Sequence, residues 1–165
     1  MLHFTDQDTK SGLKGKRILS KWVANILKAR GYRVGEINVV LCSDEYILNL
    51  NRTSLGHDYY TDIITFDYVE GNIVSGDLVI SLDTVSANSR LYRQMFSPGV
   101  VCELCRVIIH GVLHLSGEDD ITDYQKRKMR KAENDSLKVL LSDFGISMTV
   151  ASNNEFRSIF SSSNF

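Results

Sequence analysis

His110 and His114 stand four residues apart, and Asp119 and Asp120 follow them closely. An α-helix has about 3.6 residues per turn, so the imidazoles of such a pair share one side and can bind one metal ion. Gly117 is typical of a helix C-terminus and brings the following aspartates within reach of that ion. We predict a metal site made of His110, His114 and the carboxylate of either Asp119 or Asp120.

The predicted ligand set leaves a coordination position open, which favours catalysis over a structural role. Structural zinc usually has four protein ligands, whereas catalytic zinc has three and a water. The ion lowers the pKa of that water toward neutrality, so metal-bound water is the expected nucleophile. Peptidases with an H-E-x-x-H motif carry their general base directly after the first histidine. Gly111 occupies that position here, which makes a zinc metallopeptidase a less favoured alternative.

The segment that carries the histidines is predicted to be a helix in the core. Residues 100–115 are apolar on nearly all sides of a helix. Histidines there are costly to desolvate unless something specific binds them. The pattern therefore favours metal ligands over ordinary polar residues that make one hydrogen bond each. Cys102 and Cys105 form a C-x-x-C in the same helix, and we interpret both as small core residues.

Basic residues near the metal motif offer a path for a phosphate backbone. Four candidates for contact with RNA follow the predicted ligands in one run: Lys126, Arg127, Lys128 and Arg130. A solvated helix face is the alternative interpretation of this run. Arg106 lies one helical turn before His110, where it would clamp a phosphate if that side of the helix opens onto the cleft. A surface ion pair with Glu103 is the alternative for Arg106.

The residues from 110 to 119 resemble the signature H-G-x-L-H-L-x-G-x-D-H of the YbeY family of bacterial metal-dependent endoribonucleases. Residues 61–66 are similar to the family's T-D-V-L-S-F strand, residues 76–81 to its G-D-I-x-I-S strand, and Asn51 and Asp58 fall at the family's spacing before Thr61. The similarity spans about residues 36–135. Three motifs in the right order are more specific than one.

This resemblance implies hydrolysis of phosphodiester bonds in single-stranded RNA, in ribosomal RNA maturation and ribosome quality control. The implied cofactor is one Zn²⁺ per chain, and the implied partners are ribosomal RNA and ribosomal particles. A metal-stabilised protein that binds RNA or the ribosome with little catalysis is the alternative function.

Two positions depart from the family pattern. Asp120 stands in place of the last histidine, so the resemblance implies Asp120 as the third ligand, with Asp119 as the alternative. A carboxylate there lowers the charge of the site by one and favours a harder ion such as Mn²⁺ as the alternative metal. Leu55 stands where the family usually has an arginine, while Arg52 lies three residues earlier.

Length and composition are typical of a single soluble domain. The chain has 165 residues, 43% of them hydrophobic and 24% charged. No apolar run is long enough to span a bilayer, and the N-terminus lacks the form of a signal peptide, so we expect a cytoplasmic protein without membrane association. Three cysteines argue against a disulfide framework. The net charge is −1, with +6 in residues 1–35 and −8 in residues 36–85.

Apolar periodicity and turn residues predict a mixed α/β (α+β) fold. A small mixed sheet of about four strands is flanked by helices, and the metal site lies on a core helix and the loop after it. Helices are expected over 18–27, 43–51, 83–95, 98–115 and 122–142, and strands over 36–41, 62–68 and 76–82, with a hairpin turn at 70–72. We expect one domain over residues 1–145 and a poorly ordered tail, rich in Ser and Asn, over 146–165.

Overall fold

The computed structural model describes residues 1–95 and 103–144. Their regular elements, in chain order, are β1 (Leu2–Asp6), α1 (Lys16–Ala29), β2 (Arg33–Cys42), α2 (Asp44–Leu50), β3 (Ile63–Asp67), β4 (Ile73–Ser81), α3 (Leu82–Met95), α4 (Glu103–Leu115) and α5 (Asp123–Phe144), with a π-helical turn (Asn51–Leu55) after α2. The predicted mixed α/β fold is confirmed. Cys102, the start of the predicted fourth helix at residue 98, and the tail at 146–165 lie outside the described residues.

The four strands of the described residues form one mixed sheet in the order β1-β2-β4-β3. β2 is parallel to both β1 and β4, and β3 forms one edge, antiparallel to β4. The predicted hairpin turn is confirmed at Gly71, whose φ of 58° lies in the left-handed region that glycine adopts without strain. β1 was not predicted, because it is a short edge strand whose conformation depends on pairing with β2.

Side-chain caps define the starts of two helices. The Ser43 hydroxyl accepts a hydrogen bond from the backbone N–H of Tyr46 at 3.2 Å, which confirms the predicted start of α2. Before α5, the Gln125 N–H donates to the Thr122 hydroxyl at 3.2 Å, and the Gln125 side chain accepts from the Thr122 N–H at 2.9 Å. This reciprocal pair confirms Thr122 as the cap of α5, directly after the predicted metal ligands.

One face of the sheet carries the main hydrophobic core. Ile37, Val39 and Leu41, whose alternation predicts β2, are fully buried in a cluster with residues of α1, α4 and α5. The Trp22 indole in α1 is also buried and donates to the backbone oxygen of Ser136 in α5 at 2.8 Å. Helix α2 packs against part of the opposite face. None of the helices at 1–95 and 103–144 has both the length and the apolar character needed to cross a membrane.

Helix α4 lies very close to the sheet at Gly111. A Cβ atom built there would lie 2.6 Å from Ile63 Cδ1 and 2.8 Å from Leu78 Cδ2. Because glycine has no Cβ, the backbone of α4 can pack directly against Ile63 of β3 and Leu78 of β4. His110 and His114 are half-buried on the flank of the helix beside this contact.

Candidate metal centre

The end of α4 turns the chain back toward the two histidines. The N–H of Gly117, which has φ of 90°, donates to the His114 oxygen at 2.9 Å, and the Glu118 N–H donates to the Leu113 oxygen at 3.0 Å. These bonds satisfy carbonyls that the helix end leaves without partners. The predicted role of Gly117 as a helix terminator is confirmed. The loop at 116–122 then carries Asp120 to the same place as the histidines.

The structure brings His110, His114 and Asp120 together as a group that can hold a metal ion. The two Nε2 atoms lie 3.0 Å apart, and the Asp120 carboxylate oxygens lie 3.8 Å from His110 Nε2 and 3.7 Å from His114 Nε2. Two ligands of a tetrahedral zinc, each about 2.0–2.1 Å from the ion, are separated by about 3.3 Å. The observed separations lie on both sides of this value, so the donor set fits one divalent ion. Asp119, the alternative ligand, is not a member of this group.

The hydrogen bonds of the two rings direct both Nε2 atoms toward one point. His110 Nδ1 lies 2.7 Å from a carboxylate oxygen of Glu133, and His114 Nδ1 lies 2.8 Å from the backbone oxygen of Glu118. Both oxygens can only accept, so each Nδ1 donates its hydrogen and each Nε2 is the atom left to bind a metal ion through its lone pair. These lone pairs face each other and the Asp120 carboxylate. Three acceptors directed at one point are satisfied by a shared positive ion.

Glu133 belongs to this centre although the sequence motif does not include it. Its side chain is 3% exposed, and its carboxylate contacts His110, Arg106 Nη1 at 3.3 Å and Arg130 Nη1 at 3.3 Å. Burial opposes ionisation, but the His110 hydrogen bond and the two arginine charges outweigh it and hold the pKa of Glu133 below its usual range. One signal is present in the sequence: Glu133 interrupts the apolar face of α5, four residues after the buried Met129.

Arg106 is bound to carboxylates on both α4 and α5. Its Nε donates to Glu103 at 2.9 Å, a second guanidinium nitrogen bonds the other Glu103 oxygen, and Nη1 contacts Glu133. The pair with Glu103, the alternative considered from the sequence, is therefore present, but it is largely buried and not a surface pair. Arg106 nevertheless lines the same groove as His110 and Asp120.

The four basic candidates for RNA contact have different surroundings. The groove that contains His110 and Asp120 is also lined by Arg106, Lys126, Arg127, Met129, Arg130 and Glu133. Lys126 and Arg127 are exposed along this groove, whereas Arg130 is paired with Glu133. Lys128 is not among the lining residues, and its Nζ donates to Glu118 at 2.8 Å.

One of the two departures from the family pattern, Leu55, lies in the segment before β3. Leu55, at the end of the π-helical turn, is 46% exposed. Arg52 Nε donates to the Asp58 carboxylate at 2.5 Å, and the buried Asn51 donates its amide to the Tyr59 backbone oxygen at 2.8 Å. Asn51 and Asp58 therefore organise this loop.

The cysteines of the described residues lie in the core. Cys42 and Cys105 are both buried, as predicted for Cys105. Burial, together with three nearby aspartates, raises the pKa of the Cys42 thiol to about 12. Such a thiol stays protonated at neutral pH, which suits a packing role.

Comparisons with known proteins find similar sequences over most of the chain. A family model described as Endoribonuclease YbeY matches residues 3–141. A Porphyromonas gingivalis protein of that name is 46% identical over 135 residues, which cover 82% of this chain and 87% of the relative. One from Bacteroides thetaiotaomicron is 49% identical over 122 residues, covering 74% and 86%, and one from Phocaeicola vulgatus is 44% identical over 140 residues, covering 85% and 99%.

A solved structure shares the same fold. The solution structure of TM1509 from Thermotoga maritima superposes with a TM-score of 0.59 at 26% sequence identity. The match covers 88% of this chain and 92% of that protein. The similarity therefore extends over most of the fold.

Proposed function

Because the chain belongs to the YbeY family of endoribonucleases, we propose that it hydrolyses phosphodiester bonds in single-stranded RNA with one divalent ion held by His110, His114 and Asp120. The observation that carries this proposal is the convergence of two imidazole lone pairs and one carboxylate on a single point. When bound there, the ion supplies Lewis acidity toward a phosphoryl oxygen and lowers the pKa of a coordinated water.

Protein groups around the ion have separate tasks in this proposal. Glu133 and the backbone oxygen of Glu118 hold the two imidazoles with Nε2 directed inward. Lys126 and Arg127 are exposed along the groove and bind phosphates of the RNA backbone. Arg106 lies in the same groove and adds positive charge beside the reacting phosphate while it remains bound to glutamates.

We propose Zn²⁺ as the ion, with Mn²⁺ as the alternative. Two imidazoles and one carboxylate are a ligand set that zinc accepts with a position left for water. A third ligand with negative charge in place of a neutral imidazole makes a harder ion such as Mn²⁺ more competitive. Metal analysis of the purified protein distinguishes the two.

The cellular setting proposed for this activity is ribosomal RNA maturation and ribosome quality control in the cytoplasm. Family membership supports this setting, and ribosomal RNA and ribosomal particles are the partners it entails. We place the activity in one domain over residues 1–145.

The two alternative functions account for the site less well. A binding protein with little catalysis needs no open coordination position, and the similar proteins carry the name of an endoribonuclease. A metallopeptidase needs a carboxylate directly after the first histidine. A side chain at Gly111 would instead collide with Ile63 and Leu78 of the sheet.

Metal analysis combined with an RNA cleavage assay tests the proposal. We expect about one divalent ion per chain and cleavage of single-stranded RNA that a chelator abolishes and added Zn²⁺ or Mn²⁺ restores. Replacing His110 and His114 together by alanine should remove both the ion and the cleavage. His3→Ala is the matched control, because His3 is exposed and pairs with Glu36 at the start of the sheet. Unchanged metal content in the double variant would contradict the assignment, and RNA binding without cleavage in the metal-loaded protein would favour the binding protein.

A further inference from the structure

The loop between α4 and α5 is tied to two other parts of the fold through one side chain. Glu118 bonds Arg30, which follows α1, and accepts from Lys128 Nζ of α5 at 2.8 Å. The Tyr32 hydroxyl donates to the backbone oxygen of Ser116 at 3.0 Å, at the start of the same loop. The Glu118 and Arg30 side chains are 13% and 29% exposed, so water screens their ion pair less than it screens a surface pair, whereas the Lys128 side chain is 56% exposed.

Glu118 also holds one of the candidate ligands through its main chain. Its backbone oxygen accepts the hydrogen of His114 Nδ1 at 2.8 Å, which directs Nε2 of that ring toward His110 and Asp120. Asp120 lies two residues further along the same loop. The main chain that Glu118 anchors therefore determines the placement of two of the three ligand atoms.

We propose that Glu118 is a positioning residue of the metal centre, and that its ion pairs with Arg30 and Lys128 hold the loop that orients His114 and presents Asp120. This inference rests on the proposed function, since it needs a metal ion at the centre. When these pairs are lost, the loop occupies the binding conformation for a smaller fraction of the time and the ion binds more weakly. Lys128 then serves the metal, whereas Lys126 and Arg127 serve the RNA.

Positioning and plain electrostatics predict opposite results at Lys128. Removing a positive charge close to a cation site strengthens cation binding if charge alone matters. Removing the residue that anchors Glu118 weakens it if position matters. Lys128→Gln is therefore the more decisive variant, because Glu118→Gln weakens binding under both accounts.

The experiment measures the Kd for Zn²⁺ by chelator competition at fixed ionic strength in the full chain. We expect Glu118→Gln and Lys128→Gln each to weaken binding about tenfold, and Lys128→Arg to retain the wild-type Kd. The double variant should be no weaker than Glu118→Gln alone, because Glu118→Gln already breaks the ion pair with Lys128. Lys131→Gln is the matched control: it removes the same charge from α5 by breaking an exposed pair with Asp135 of 2.6 Å.

Two further readouts separate positioning from loss of fold. The melting temperature of the metal-free Lys128→Gln protein should match that of metal-free Lys131→Gln. In the Co²⁺-loaded proteins, the visible spectrum of Lys128→Gln should differ from that of the wild type, whereas the spectrum of Lys131→Gln should not. A Kd for Lys128→Gln equal to or tighter than the wild-type Kd would overturn the inference. Failure of the wild-type protein to bind Zn²⁺ would instead contradict the proposed function, and the inference with it.

Discussion

Glu133 joins one of the candidate ligands to two arginines. It accepts from His110 Nδ1 and faces both Arg106 and Arg130 from a buried position on α5. Glu133→Gln keeps an oxygen that can accept from His110 but removes the charge that raises the basicity of the ring. Because outer partners of metal ligands contribute in this way, we expect Zn²⁺ affinity to fall about 10–100-fold, with a parallel loss of RNA cleavage. Chelator competition and a cleavage assay on one preparation measure both.

Asp135→Asn is the control for this substitution. It removes one negative charge from the same helix at an exposed residue that pairs with Lys131 and Lys138. We expect its metal affinity to stay within about twofold of wild type, since exposed pairs contribute little. Equal affinities in the two variants would mean that Glu133 only neutralises the arginines beside it.

The positions of these residues along the chain explain which parts of the site the sequence could predict. His110, His114 and Asp120 lie close together along the chain, so helical spacing and one glycine were sufficient to bring them together. Glu133 lies on the next helix, and its contact with His110 depends on how α5 packs against α4. Lys128 and Lys126 are indistinguishable in the sequence, because only the helix packing directs one toward Glu118 and the other toward the groove.

The contact between α4 and the sheet should reverse the usual effect of a Gly→Ala substitution in a helix. Gly→Ala inside a helix normally stabilises by about 1 kcal/mol. At Gly111 the added methyl group would lie 2.6 Å from Ile63 Cδ1 and 2.8 Å from Leu78 Cδ2, both at the ends of side chains. Because Leu78 is fully buried and has little room to turn away, we expect the overpacking cost of about 1–3 kcal/mol to apply. We therefore expect Gly111→Ala to lower the free energy of unfolding, as measured by urea denaturation of the metal-free protein. A gain in stability would show that the helix shifts away from the sheet at no cost.

A second variant checks that the cost comes from this contact. Ile63→Val removes Cδ1, the atom nearest to the added methyl group. Combined with Gly111→Ala, it should recover part of the lost stability, so the effects of the two changes will not add. Strict additivity would place the cost elsewhere in α4.

Whether each helix and strand was predictable depends on whether its signal is local. Ser43, Thr122 and Gly117 act within one turn of the backbone they cap, and all three boundaries were predicted. Strand β1 has no comparable local signal. It is an edge strand, and its conformation depends on pairing with β2, some 35 residues away. Its register, from Leu2 opposite Ile37 to Asp6 opposite Leu41, is a tertiary property.

Charge is distributed unevenly over the molecule, and this limits where RNA can bind. Residues 36–85, which include β3 and β4, carry a net charge of −8 and repel a phosphate backbone. Positive charge is concentrated in residues 1–35 and in the first turns of α5. Of these, the exposed Lys126 and Arg127 line the groove with His110 and Asp120. RNA affinity should therefore depend mainly on this stretch of α5.

Replacing Lys126 and Arg127 together by glutamine tests this dependence through salt. Each phosphate contact to a single strand contributes about 0.7 to the slope of log affinity against log salt, so loss of both should flatten the slope by about 1.4 and weaken binding at low salt. His110→Ala should behave differently, removing cleavage while leaving most of the affinity, because the metal acts on the transition state. The control replaces Lys131 and Lys138, which pair with Asp135 on the same helix, and should leave the slope unchanged. If the Lys126 and Arg127 variant keeps the wild-type affinity and slope, these residues are a solvated helix face, and the basic surface of α1 becomes the next candidate for the RNA path.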